Sequence, residues 1–124
     1  MMKRVLVVDD AAFMRLSLKG ILERCGFEVV GEAENGVKAI QLYRQLKPDF
    51  VTMDLTMPEL GGVDATKMIK MIDNEAKIVV ISSMGHETSV KEAIMAGAIS
   101  FILKPFDEET VIRQLKEIEK SIVD

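Results

Sequence analysis

Residues 5–11 read VLVVDDA, four apolar residues that run without a break into Asp9 and Asp10. The apolar stretch does not alternate with polar residues, so as a strand it has both faces covered, the condition of a parallel sheet inside an α/β fold. The carboxylates that end it repel one another and resist burial unless a cation or proton uptake offsets their charge. A strand of this kind, stopped by two acids, points to a sheet that carries its chemistry at one end.

The same pattern recurs along the chain. Val5 to Val8, Val29-Val30, Phe50 to Met53, Ile78 to Ile81 and Phe101 to Leu103 read as five strands. Between them, Met14, Leu18, Ile21, Leu22 and Cys25 fall on one helical face, as do Ala39, Leu42, Tyr43 and Leu46. Three further faces follow: Ala65, Met68, Ile69 and Ile72; Val90, Ala93, Ile94 and Gly97; and Ile112, Leu115, Ile118 and Ile122. Gly26 and Gly97 stand where helix C-caps are expected, Pro48 and Pro58 break helical continuation, and Asp107 is placed to cap the last helix. Five β-α units in alternation predict a doubly wound α/β fold, a parallel five-stranded sheet between two helical layers.

Composition bounds the function. The 124 residues fit a single domain, expected to span 1–124, and 48% hydrophobic with 29% charged residues closes a core under a solvated surface. A net charge of −4 argues against a broad electrostatic grip on nucleic acid or an anionic membrane, so neither is an expected partner. Cys25 is the only cysteine, which excludes an intramolecular disulfide and a cysteine metal cluster and fits a cytoplasmic location. No apolar stretch approaches the roughly 18 residues of a membrane span, and the N-terminus lacks a signal-peptide core.

In an open α/β sheet ligands bind beyond the carboxyl ends of the strands. Those ends hold Asp9-Asp10, Asp54, Ser82-Ser83 and Lys104-Pro105, while the second strand runs into Glu32 to Gly36 without a comparable signal. Singly, each has an ordinary reading: Asp10 as a helix cap, Asp54 as a loop acid, Lys104 as a surface lysine, Ser82 as a turn residue. Together they meet on one rim. Carboxylate oxygens with no nearby His or Cys suit a hard ion, and Mg²⁺ accepts one or two carboxylates, waters and a phosphate. Lys104 and Ser82 would then meet phosphate oxygens, and Asp54 is the candidate nucleophile, because a carboxylate forms an acyl phosphate without an adjacent base.

The stretches VLVVDDAAFMR, VTMDLTMPELGG, VVISSMG and SFILKPF, in that order, closely resemble the receiver domains of two-component response regulators, above all the single-domain chemotaxis regulators, over residues 3–122. The resemblance implies a flavodoxin-like three-layer sandwich with strand order 2-1-3-4-5. It implies that Asp54 is the phospho-acceptor, forming a 4-aspartylphosphate, and that Asp9, Asp10 and Asp54 bind Mg²⁺ with the backbone carbonyl of Thr56. Ser82 matches the hydroxyl that bonds the phosphoryl group, Lys104 the lysine that pairs with it, and Phe101 the aromatic switch. A cis Lys104-Pro105 peptide is also implied.

The implied partners are a histidine kinase as phosphodonor, a target protein at the surface of the fourth helix, fifth strand and fifth helix, and a phosphatase. The flagellar motor switch is the target to which the resemblance points, and a stand-alone receiver in another relay is the alternative. No output domain is expected beyond the fifth helix, so action is expected by docking. The protein is not a conventional enzyme, but is expected to catalyse its own phosphorylation and slow autodephosphorylation. Phe101 lacks a tyrosine hydroxyl, so only its apolar face can signal, and Thr56 and Met84 occupy positions that tune phosphoryl lifetime in this family. A phosphohydrolase would carry Asp-x-Asp after the first strand, where Asp9-Asp10 stands, and a flavin module would want a Ser/Thr/Gly-rich loop where DDAAFMR is acidic. The nine methionines read as core filler, His86 as an exposed residue, and Asn35-Gly36 as a turn without chemistry.

Overall fold

The apolar runs become strands β1 (Lys3–Val8), β2 (Phe27–Ala33), β3 (Phe50–Met53), β4 (Ile78–Ser82) and β5 (Ser100–Leu103). Helices α1 (Ala12–Arg24), α2 (Gly36–Leu46), α3 (Gly62–Ile72), α4 (Glu87–Ala96) and α5 (Glu108–Ile122) alternate with them in this computed structural model, which describes residues 2–122. All strand pairs are parallel and the order is β2-β1-β3-β4-β5. The chain steps outward from β1 to β2 and then crosses back to β3, so the carboxyl ends of β1 and β3 flank the point where the winding direction reverses. In open α/β sheets such a switch point is where ligands bind.

The strands are apolar on successive residues because each face has its own core. Leu6, Val8, Val51, Met53 and Val80 pack towards α2, α3 and α4, with Ala39, Tyr43, Ala65, Ile69 and Ala93. Val5, Val7, Phe50, Val79 and Ile81 pack the other way, towards Leu18 and Leu22 of α1 and Val111 and Leu115 of α5. A period of two is therefore present in the side-chain directions and absent from the hydropathy. The edge strands β2 and β5 are only partly covered.

Caps end the helices largely as the sequence implies. Gly97 (φ 114°) closes α4 and Gly26 (φ 93°) follows Cys25 after α1, both in the left-handed region that glycine tolerates. Asp107 Oδ1 accepts the Thr110 amide at 2.8 Å and starts α5, and Asn35 Oδ1 accepts the Lys38 amide at 2.8 Å and starts α2.

Some expected helix faces are rotated. On α3, Met68 and Ile72 are exposed, and the inward set is Gly62, Ala65, Thr66 and Ile69. On α4, Ile94 is exposed, and Ser89, Ala93 and Ala96 face inward. The buried stripe on both helices is made mostly of small residues, and the larger Met68, Ile72 and Ile94 fall on the outer face. The expectation that the methionines fill the core holds for Met53 and fails for Met68, Met71, Met84 and Met95, all exposed. Cys25 lies just beyond α1 and is half-buried against the α1–α5 core. The side chains of Ser121 and Ile122 and residues 1, 123 and 124 lie outside the described residues.

At the amino end of the sheet the buried Tyr43 hydroxyl donates to Asp73 Oδ2 at 2.7 Å, joining α2 to the end of α3. Burial, then this bond, raises the Tyr43 pKa, while the Tyr43 hydroxyl and the Glu75 amide hold the Asp73 carboxyl below its usual range. The Tyr43→Phe variant is expected to lose about 1 kcal/mol at pH 7. Because the Asp73 pKa is depressed on folding, that contribution is present above the unfolded carboxyl value near 4 and fades as pH falls through the lower folded value. Urea unfolding at pH 7 and pH 3 should therefore show a smaller gap between wild type and variant at the lower pH.

Candidate functional site

Four of the five strand ends build the rim, and the structure brings Asp9, Asp10 and Asp54 together. One carboxylate oxygen from each lies within 4.8 Å of the others. Asp9 and Asp54 are buried and Asp10 is exposed. The depth differs because Asp9 and Asp54 each follow directly from a buried strand and are held by the neighbouring one: the Asp9 amide donates to the Ala33 carbonyl of β2 at 3.0 Å, and the Asp54 amide to the Val8 carbonyl of β1 at 3.0 Å.

Asp9 is engaged on both oxygens. Oδ1 accepts the Ala11 amide at 2.9 Å, and Oδ2 accepts from Lys104 Nζ at 2.7 Å. The capping role considered for Asp10 is not filled: Ala11 stands at the N-cap of α1 and no side chain caps that position. Lys104 crosses from the end of β5 and reaches Asp54 Oδ1 as well, at 3.4 Å, with its own side chain only 16% exposed. The Lys104-Pro105 peptide is cis, as the resemblance implies.

These charges set the titration of the site. Burial pushes the Asp54 carboxyl up to about 6, the Asp9 charge adds to that rise, Lys104 counters it in part, and Asp10 adds a little more. For Lys104, burial lowers the pKa, but the hydrogen bond to Asp9 and the charges of Asp54 and Asp9 outweigh it and leave it raised. The ammonium is therefore fixed across the neutral range.

A raised folded pKa means the native protein holds more protons than the unfolded chain between about pH 4 and 6, so Asp54 subtracts stability as pH rises through that window. In metal-free buffer at pH 7, Asp54→Asn is expected to stabilise the fold by about 2 kcal/mol. The gain should shrink towards zero near pH 4, and denaturant midpoints measured at both pH values test it. A variant no more stable than wild type at pH 7 would remove the buried-charge penalty from the account.

The remaining expected residues are distributed as follows. Ser82 is buried at the end of β4; its Oγ accepts the Met84 amide at 3.0 Å and its carbonyl accepts the Lys104 amide at 2.9 Å, which ties the β4 and β5 ends together. Thr56 is exposed on the loop between β3 and α3, which also carries Glu59 in the left-handed region (φ 68°). Phe101 is half-buried and packs against the core under α2, α3 and α4. His86 is exposed at the start of α4, its ring 3.2 Å from the Ser89 hydroxyl.

The donor set fits Mg²⁺ on its chemistry. Among the described residues it offers carboxylate oxygens with no nitrogen or sulfur ligand, in a partly buried, triply acidic cluster with Lys104 as countercharge.

Sequence reasoning missed the contribution of the second strand. Arg15 of α1 donates from Nη1 to the Asp9 carbonyl at 2.6 Å and from Nε to Glu32 Oε1 at 3.0 Å, so Glu32 at the end of β2 is linked to the acid pair. Gly36 is also more than a turn: its amide donates to the Leu60 carbonyl at 3.0 Å, and a Cβ there would sit 2.9 Å from Leu60 Cβ. Gly62 does the same from the other end of the loop, donating to the Leu55 carbonyl at 2.9 Å. The strand order was the available signal, since it sets Glu32 beside the end of β1.

Comparison with known proteins agrees with this geometry. The family model described as response regulator receiver domain matches residues 5–116. The chemotaxis protein CheY of Thermotoga maritima is 56% identical over 118 residues, covering 95% of this chain and 98% of that protein. CheY of Bacillus subtilis is 51% identical over 117 residues, covering 94% and 98%. Among solved structures, the CheX-CheY-BeF3-Mg²⁺ complex from Borrelia burgdorferi superposes with a TM-score of 0.91 at 33% identity, covering 94% of this chain and 88% of that one. The chain belongs to the response regulator receiver domain family and, within it, to the phosphorylation-activated regulators of chemotaxis.

Proposed function

We propose that residues 1–124 form a single receiver domain that takes a phosphoryl group on Asp54 from a histidine kinase or a small acyl phosphate, and then docks on a target protein. The observation that carries this reading is the meeting of the Asp9, Asp10 and Asp54 carboxylates with the Lys104 ammonium on one rim. Asp9, Asp10 and Asp54, with the Thr56 carbonyl, are the residues that would hold Mg²⁺. Bound there, the ion would offset negative charge on the phosphoryl oxygens.

An Asp54 oxygen attacks phosphorus, the bond from phosphorus to the donor breaks, and the donor leaves with the electron pair. When the donor is a phosphohistidine, its imidazole is released. Lys104, already held by Asp9 and within 3.4 Å of Asp54, supplies a cation to the incoming group. Ser82 would turn its hydroxyl from the Met84 amide to a phosphoryl oxygen, and Phe101 would fill the space this opens. The surface of α4, β5 and α5 then changes shape for the partner. Only two nearly balanced states are needed, with the phosphoryl group favouring one.

The flagellar motor switch is the target that the CheY relatives support, in a cytoplasmic setting. No helix among the described residues is long and apolar enough to cross a membrane. A phosphatase is the remaining partner class; the Borrelia burgdorferi CheY was solved with CheX, BeF3 and Mg²⁺. The site residues also imply self-catalysed phosphorylation and slow autodephosphorylation.

Intact-mass spectrometry after incubation with Mg²⁺ and acetyl phosphate tests the chemistry. A single Mg²⁺-dependent phosphoryl adduct, absent from Asp54→Asn, is expected; an adduct retained by that variant would move the acceptor elsewhere. Phe101→Ala should accept the phosphoryl group yet bind the target weakly, and normal binding by this variant would end the aromatic-switch account.

A further inference from the structure

We infer that Arg15 is a positioning residue that holds the Asp9-Asp10 turn in the shape a cation needs, with Glu32 as its anchor. The inference rests on the reading of Asp9 and Asp10 as cation ligands. Asp10 needs such help: it is exposed, whereas Asp9 is held through its amide, both carboxylate oxygens and its carbonyl. The Asp10 carboxylate can meet those of Asp9 and Asp54 only if the peptide joining Asp9 to Asp10 keeps one orientation.

Arg15 sets that orientation. Its Nη1 donates to the Asp9 carbonyl at 2.6 Å, which turns the carbonyl of the Asp9-Asp10 peptide towards α1. Its Nε donates to Glu32 Oε1 at 3.0 Å, so the guanidinium is gripped from both sides, and the side chain is only 17% exposed. Glu32 lies at the end of β2, opposite Val7 in the ladder, so the grip is built on the sheet itself and not on a mobile loop. One planar fork spans a carbonyl and a carboxylate on two adjacent strand ends. A lysine cannot do this, because its ammonium is a single point on a flexible stem.

Charge and position pull in opposite directions here, which makes the role separable from simple electrostatics. A cation beside an acid cluster disfavours a second cation by repulsion, so neutralising Arg15 should tighten Mg²⁺ binding if charge were its whole effect. If Arg15 acts by position, losing the fork weakens Mg²⁺ whether or not the charge remains. Supporting groups around metal ligands typically matter by about 10–100-fold in affinity.

The experiment is isothermal titration calorimetry of Mg²⁺ into the metal-free wild type, Arg15→Lys and Arg15→Gln, with urea unfolding of each metal-free protein to establish that it is folded at the titration temperature. Both variants are expected to bind Mg²⁺ about tenfold more weakly than wild type. Unchanged affinity in Arg15→Lys, or tighter binding in Arg15→Gln, would overturn the positioning role while leaving the metal site intact. Absence of Mg²⁺ binding by the wild type would overturn the metal-site reading and this inference with it. Arg15→Lys keeps the charge and most of the packing, so it remains a fair test should Arg15→Gln fail to fold.

Discussion

Lys104→Met is expected to destabilise the metal-free protein by about 3 kcal/mol at pH 7, because it strips the Lys104 ammonium from a cluster of carboxylates of which two are buried. Methionine approximates the length and packing of the lysine stem, so the loss reports on the charge and its hydrogen bond to Asp9. The pH dependence distinguishes this from a packing defect. The raised Lys104 pKa keeps its stabilisation complete through neutral pH, to be lost only when pH climbs past the lysine's own value. On the acid side, Asp54 takes up a proton near 6 and relieves part of the repulsion, so the deficit of the variant should narrow by pH 5. Denaturant unfolding across pH 5 to 8 measures it. A deficit that does not change with pH would assign the loss to packing. The opposite sign expected for Asp54→Asn makes the pair informative. The double variant should be closer to wild type than Lys104→Met alone, since the charge that lysine offsets is then reduced.

Gly62→Ala is expected to cost about 3 kcal/mol and to slow phosphorylation at least tenfold. A Cβ at Gly62 would press into the Asp54 carbonyl, and would stand 2.8 Å from Leu55 Cα and 2.9 Å from the Asp54 carbonyl carbon. All three are main-chain atoms of the segment that presents Asp54, so the strain cannot be absorbed by a side-chain rotation. Either the start of α3 lifts or the Asp54 peptide shifts, and a shift of about 1 Å is enough to cost two orders of magnitude in a positioned reaction. Gly26→Ala serves as the contrast. Its Cβ would meet nothing within 4 Å, and its penalty comes only from φ 93°. That variant should lose about 1 kcal/mol and phosphorylate at the wild-type rate, by stopped denaturation and by adduct formation against time. Equal phosphorylation rates for the two glycine variants would show that the β3–α3 loop tolerates displacement.

How much of this was legible before the fold was known depends on whether a residue acts through its own type or through its neighbours. The acids of VLVVDDA and of MDL, and the lysine of LKP, were legible because a charged residue directly after an apolar strand is costly wherever the strand goes, and parallel strands in β-α units all end on one side. Arg15, Glu32, Gly36 and Gly62 were not, because nothing in an arginine on the first turn of a helix, or in a glycine that opens one, declares what it will touch. Their roles came from the order β2-β1-β3, which sets Glu32 beside Asp9 and folds the 54–61 loop against Gly36. The helix faces divide in the same way. Leu18 and Leu22 of α1 and Leu115 of α5 were assigned inward by periodicity and are buried. On α3 and α4 the same periodicity turned Met68, Ile72 and Ile94 inward, although the buried positions hold Thr66, Ser89 and Ala96.

What this sequence determined alone was the succession of strands and helices, the parallel sheet and the set of acids and lysine brought to its carboxyl edge, since hydrophobic period and chain direction are local properties of the polymer. Only the tertiary structure decided how deep each acid lies, that Lys104 is shared between Asp9 and Asp54, and that Arg15 of α1 links the Asp9 carbonyl to Glu32 on the second strand. Those depend on distances between strand ends far apart in the chain, and in a close-packed interior a few tenths of an ångström decide whether two groups bond, clash or merely face each other.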